Sequence, residues 1–199
     1  MKTYNKGQRF PAQPLSGEEV KALIRACSKR SSTGVRNAAL VATLYRTGMR
    51  ISEALAVLPR DLDSESGAIR IMNGKGGTVR SVALDPGAWA ILQRWLDRRV
   101  GLGIGARSTV FCTLQGCQLK TSYVRGLLPR LAKKAGIDRR VHAHALRHSF
   151  AAELASERTP INVVQALLGH ASLATTDAYL KHINPVVAIE TLRARSWSI

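Results

Sequence analysis

Acidic residues are scarce in this 199-residue chain: 13 Asp and Glu stand against 30 Lys and Arg, leaving a formal charge of +17 at pH 7. So large an excess on a small protein asks for a polyanionic partner. Nucleic acid comes before membrane, because no Lys/Arg-rich amphipathic segment carries a broad aromatic face. Cysteine is scarce as well. The three present, Cys27, Cys112 and Cys117, are odd in number, form no C-x-x-C pair and have no zinc-site spacing, so a disulfide framework is excluded and a reducing cytoplasm is expected. No run of about 18 apolar residues occurs, and residues 1–13 are polar and basic with no apolar signal core, so neither a membrane span nor secretion is expected. What is there is ordinary globular material. Hydrophobic residues make up 45% and charged residues 22%, enough to build a core without a metal or a cross-link.

The chain divides by pattern. Residues 1–14, with Gly7, Pro11 and Pro14, read as an extended lead-in or linker. Ser16 and Glu19 form a capping box ahead of Val20, Leu23, Ile24 and Cys27, which marks an amphipathic helix. A second helix is expected over residues 35–47, stopped by Gly48, and a third over 51–57. The period then switches to alternation. Residues 68–72 and 78–84 flank Gly74-Lys75-Gly76-Gly77 as two antiparallel strands joined by a glycine-rich turn. Asp85 caps the next helix with Pro86 at its first position; residues 109–112 read as a short buried strand; residues 123–135 are helical, with Pro129 expected to bend them. The last third is all helix: 145–156, a helix opened by Thr159 as cap and Pro160, another capped by Ser172 that carries Tyr179, and a final one over 186–195. The fold class is mainly α with a small antiparallel β-sheet, α+β.

Taken singly, the chemically interesting residues are weak signals. Arg50, after Thr47-Gly48-Met49, can share an anion with the N–H groups of a helix mouth, or be a solvated Arg paired with Glu53. Lys75 sits where glycines let the backbone approach a ligand, or is an exposed turn lysine. His144, Arg147 and His148 form H-x-x-R-H at a helix entrance, which suits an anion, while a satisfied core histidine is the commoner fate. His142, His144 and His148 could also ligate a metal, but no Cys, Asp or Glu stands among them to complete the shell.

The combination is specific. Thr47-Gly48-Met49-Arg50-Ile51-Ser52-Glu53, Gly74-Lys75-Gly76, His144-Ala145-Leu146-Arg147-His148-Ser149-Phe150, Leu167-Leu168-Gly169-His170 and Thr175-Thr176-Asp177-Ala178-Tyr179 together resemble, in order and spacing, the catalytic domain of tyrosine recombinases, the phage-integrase family. The resemblance covers residues 15–184. It implies a site-specific DNA recombinase of the integrase or invertase type. Tyr179 would be the nucleophile and Arg50, Arg147 and His170 the donors to the non-bridging oxygens. His144 would act as general base and Lys75 as general acid. Glu53 would orient Arg50, and His148 would pack behind the site. The resemblance implies no metal, nucleotide or other cofactor, a double-stranded DNA recombination site as partner, and assembly into a dimer or tetramer on DNA.

Members of this family usually carry a helical core-binding domain ahead of the catalytic one, and here only residues 1–14 precede the pattern. The chain is therefore expected to be either an excised catalytic fragment or a short recombinase like the fimbrial-type invertases. The tail, 185–199, places Val187, Ile189 and Leu192 on an apolar side, which the resemblance assigns to a neighbouring subunit. A type IB topoisomerase shares the chemistry, although the short interval from His170 to Tyr179 favours the recombinase. A catalytically silent DNA-binding accessory protein would have lost one of the six residues, and none is lost.

Overall fold

The computed structural model describes residues 14–72, 79–169 and 193. Among these residues seven helices and one sheet follow in chain order: α1 (Gly17–Ala26), α2 (Ser32–Thr47), α3 (Ile51–Ala56), a 3-10 turn (Pro59–Asp61), β1 (Leu62–Asp63), β2 (Ala68–Met72), β3 (Val79–Ala83), α4 (Pro86–Gly101), α5 (Thr121–Lys134), α6 (Ala143–Ser156) and α7 (Ile161–Leu168). The glycine turn at 74–77, Lys75, the segment from His170 through Tyr179 and the tail helix over 186–195 lie outside the described residues.

Helix α2 is the centre of the molecule. Its Ala39, Leu40, Val41, Ala42 and Leu44 are buried, and α1, α4 and α6 pack around it. On α4, Trp95 is fully buried and its indole N–H donates to the Val110 carbonyl at 2.7 Å, so the largest apolar surface in the core carries no unpaired polar group. The caps are as the side chains dictate. Ser16 Oγ accepts from the Glu19 N–H at 3.2 Å while the Glu19 carboxylate accepts from the Ser16 N–H at 2.7 Å, and Asp85 accepts from Gly87 and Ala88 at the head of α4. Arg46 at the end of α2 bridges Asp85 (2.8 Å) and Glu153 (2.7 Å), tying α2 to α4 and α6. The Leu15 N–H donates to Ser149 Oγ at 2.7 Å and fastens the entering chain to α6.

The sheet has three antiparallel strands in the order β1-β2-β3, one more than the alternation suggests. β1 is a two-residue strand pairing Leu62 with Ile69 and Asp63 with Ala68, too short for a period to register. The expected strand at 109–112 does not form; the segment makes a single bridge, Cys112 with Gln118, and is buried as a loop, with Val110 and Phe111 in the core. Apolar content alone misled there, because burial needs no ladder. Helix α2 starts at Ser32, one turn earlier than residue 35, because Ser31 Oγ accepts from the Gly34 N–H. Helix α5 passes through Pro129, and Pro160, not Thr159, is the cap of α7.

Helix α7 stands apart from the main core. It rests on α6 through a small cluster of its own, Phe150, Ala151, Val164 and Leu168. Gly48, the left-handed cap of α2 at φ +61°, lets Phe150 come so close that a Cβ there would lie 2.3 Å from the ring. The end of α2, the body of α6 and the end of α7 therefore meet at one point.

Candidate active site

At that meeting point three consecutive carbonyls closing α7 each accept from a different arginine. Leu167 O takes Arg80 Nε at 3.1 Å, Leu168 O takes Arg147 Nη2 at 2.6 Å, and Gly169 O takes Arg50 Nη2 at 3.2 Å. The last carbonyls of a helix have no partner within it and carry the negative end of its dipole, so they are natural seats for cations. Arg50, β3 and Arg147 come from distant stretches of chain, and α7 gathers them.

Arg147 is 3% exposed and spans two carbonyls, with Nη1 on Gly48 O and Nη2 on Leu168 O, both at 2.6 Å. The two bonds hold the guanidinium at both of its terminal nitrogens. Both of these acceptors are neutral carbonyl dipoles. Arg50 is more open, with 44% of its side chain exposed. It is the cap of α3, its N–H donating to Glu53 Oε2 at 2.7 Å and its Nη1 to Glu53 Oε1 at 2.9 Å, as the three-residue spacing suggests. Burial pushes the Glu53 carboxyl up, but hydrogen bonds from Arg80 and from the Arg50 backbone, with the charge of Arg80, outweigh it and hold the group below the usual carboxylate range. Two of the three guanidiniums, those of Arg50 and Arg80, thus share the Glu53 carboxylate.

His144 enters α6 beside this group. Its pKa is lowered, first by burial and then by the positive charges of Arg147, His142 and Arg50, so its imidazole is neutral at pH 7 and able to accept a proton. His148 packs edge-on against it, ring centres 4.4 Å apart, and burial first, then the neighbouring histidines and Arg147, push it down to about 4. His142 is occupied as the cap of α6, its Nδ1 accepting from the Ala145 N–H at 3.1 Å. Among the described residues no group of three or more His, Cys, Asp and Glu is placed to hold a metal ion.

This lowered His148 has a consequence for stability. A histidine at about 4 when folded and about 6.5 when unfolded binds its proton more readily in the unfolded chain, so stability is full above pH 6.5 and falls as pH drops from there toward 4. The depressed carboxylates, Glu53 and Asp85, add to the loss only below about pH 4.5. The melting temperature is therefore expected to decline already between pH 6.5 and 5, and His148→Asn to flatten that part of the curve. Calorimetry across this range checks it.

Of the residues singled out from sequence, Arg50, Glu53, His144, Arg147 and His148 are brought together. Lys75, His170 and Tyr179 lie outside the described residues, with Gly169 immediately before His170. One participant escaped the sequence reading: Arg80. It pairs across the sheet with Ile71 and stands in phase with the buried Val82, so a charged residue at a core-facing position of β3 was the available signal.

The Phage integrase family pattern matches residues 13–184. The tyrosine recombinase XerD of Ralstonia nicotianae is 33% identical over 90% of this chain and 58% of its own length, and XerD of Mycobacterium leprae is 36% identical over 94% and 60%. Among solved structures, the XerA recombinase superposes with a TM-score of 0.81 at 30% identity, covering 96% of this chain and 68% of that one. XerH bound to difH substrate in a pre-cleavage complex superposes with a TM-score of 0.72 at 32% identity, covering 84% and 49%. The chain belongs to the phage integrase family of tyrosine recombinases, and its fold is that of the family's catalytic domain. It spans about three fifths of the length of these curated relatives.

Proposed function

We propose that the chain is a site-specific DNA recombinase that cuts and rejoins DNA through a 3′-phosphotyrosyl intermediate, with residues 15–184 as its catalytic domain. The observation that carries the reading is the seating of Arg50 and Arg147 on adjacent carbonyls of α7, directly before His170.

In the forward step the phenolic oxygen of Tyr179 attacks the phosphorus, the bond from phosphorus to the 5′-oxygen breaks, and the phosphotyrosyl ester preserves the bond energy for ligation. His144 takes the phenolic proton, Lys75 supplies one to the departing 5′-oxygen, and both return in the reverse step. Negative charge grows on the non-bridging oxygens. Arg147, buried and held by two carbonyls, and Arg50, held by Glu53, are donors that need no reorganisation to meet it, with His170 as the third. Neither water nor a metal takes part in this scheme.

Two other tyrosines are tied up elsewhere. The Tyr123 hydroxyl accepts from Arg36 at 2.6 Å and donates to Asn37 at 3.1 Å, and burial together with Glu153 raises the pKa of Tyr45. A reducing compartment, the cytoplasm, suits the three free thiols, of which Cys27 and Cys112 are buried and Cys117 exposed. No described helix is long and apolar enough to cross a membrane. Double-stranded DNA is the proposed partner, with a dimer or tetramer forming on the recombination site.

The positive surface predicts steep salt dependence, since each neutralised phosphate releases counterions. With about six contacts, affinity is expected to fall by about three orders of magnitude between 50 and 200 mM salt. Titration of the protein onto labelled duplexes checks this, and a flat profile contradicts a DNA-binding role for the charge. The reading as a whole is tested by capturing covalent complexes on a random duplex library: recurrence of one core sequence supports it, and the absence of any covalent complex refutes it.

A further inference from the structure

Arg80 uses all three of its nitrogens on separate acceptors. Nη1 meets Glu53 Oε1 at 3.0 Å, Nη2 meets Glu53 Oε2 at 2.7 Å, and Nε meets Leu167 O at 3.1 Å. The pair is sheltered, with 12% of the Arg80 and 7% of the Glu53 side chain exposed. Such a fork locks the carboxylate in one plane, which a lysine ammonium cannot do. That carboxylate in turn holds the backbone N–H and the guanidinium of Arg50.

The same guanidinium lies directly under Gly169. A Cβ at that position would come within 2.7 Å of Arg80 Nη1, and the residue sits at φ +61°, so glycine there serves both the left-handed turn and the close approach of the arginine. Arg80 stands near the start of β3, five residues after Lys75 in the sequence. One side chain therefore touches both the group that holds Arg50 and the turn at Gly169. A solvent-exposed ion pair would be worth little and would fix nothing. This one is half of a sheltered network whose other half is the exposed Arg50 side chain.

We propose that Arg80 is a positioning residue for strand cleavage: seated on Leu167 O, it holds Glu53 and through it fixes the guanidinium of Arg50. The proposal rests on the recombinase reading for its rate effects, and on the free protein for its geometry.

The test compares Arg80→Gln and Arg80→Lys with the unaltered protein in three measurements. In the DNA-free protein, NMR exchange of the Arg50 guanidinium protons is expected to accelerate in both variants, because Glu53 is released. Single-turnover cleavage of a nicked duplex at saturating protein is expected to fall by about 10²-fold, the cost of a small misplacement of a donor, while DNA affinity stays within about threefold. Replacing the bridging 5′-oxygen by sulfur should not restore the rate, because the defect lies at the non-bridging oxygens. In an Arg50→Ala background the further loss should shrink to about twofold, because the two side chains act as one unit. If Arg80→Gln does not fold, Arg80→Lys, which keeps the charge and loses the fork, carries the comparison.

A full additional loss in the Arg50→Ala background overturns the proposal, as does recovery on the sulfur substrate, which would route the effect to Lys75. Unaltered cleavage together with unaltered Arg50 exchange overturns it as well. Should the unaltered protein form no adduct with any duplex, the recombinase reading fails separately, and Arg50 exchange alone then decides whether Arg80 positions it.

Discussion

Arg147→Ala is expected to cost the protein both its chemistry and much of its stability. Removing one preorganised donor to a developing oxyanion typically slows the chemical step by about 10²–10³-fold. The buried setting adds a second penalty. Gly48 O and Leu168 O, each bonded to Arg147 at 2.6 Å, would lose their partner in the interior, and each orphaned group costs about 1–3 kcal/mol. At about 2–4 °C per kcal/mol for a chain of this size, the melting temperature should drop by about 5–20 °C. Arg147→Lys should rescue only part of either effect, since one ammonium cannot lie flat between two carbonyls. Calorimetry and single-turnover cleavage check the two halves independently. A variant with an unchanged melting temperature would mean that the arginine does not hold α2 and α7 together.

Lys75→Ala is expected to be slowed by about 10²–10⁴-fold on ordinary DNA, the range of general acid catalysis. It should regain most of that on a substrate whose bridging 5′-oxygen is sulfur. A thiolate departs without a proton, whereas an alkoxide does not, so the sulfur removes the need for the acid and for nothing else. Arg50→Ala should stay slow on both substrates, since charge on the non-bridging oxygens develops whatever leaves. The comparison separates proton donation from phosphate binding at the residue that, read alone, most resembles an ordinary turn lysine. Equal defects on both substrates would make Lys75 a phosphate ligand and send the search for the acid to His144.

These expectations follow from residues that the sequence makes legible to different degrees. The Ser16–Glu19 box, the stop at Gly48 and the alternation before and after the glycine turn are local chemistry, and the structure realises the described ones at the expected places. The pairing of Arg50 with Glu53 was readable from a three-residue spacing. What a spacing cannot reveal is which carbonyl a guanidinium will meet across the fold. That Arg50, Arg80 and Arg147 share the end of α7 depends on a small cluster of Phe150, Val164 and Leu168 placing that helix, a contact with no local signature. The two-residue β1 leaves no pattern, and the looped 109–112 segment reads as a strand, for a related reason: strand pairing is decided by the partner, and a short apolar run does not say whether it has one.

The account stands on a phosphotyrosyl bond made without metal. The direct measurement is to incubate the unaltered protein with a nicked duplex in excess chelator, digest the covalent complex and identify by mass spectrometry the residue that carries the nucleotide. The expected result is a 3′-phosphonucleotide on Tyr179 with full yield in chelator; a nucleotide on Tyr45 or Tyr123, or an adduct that forms only when divalent cations are restored, would contradict it.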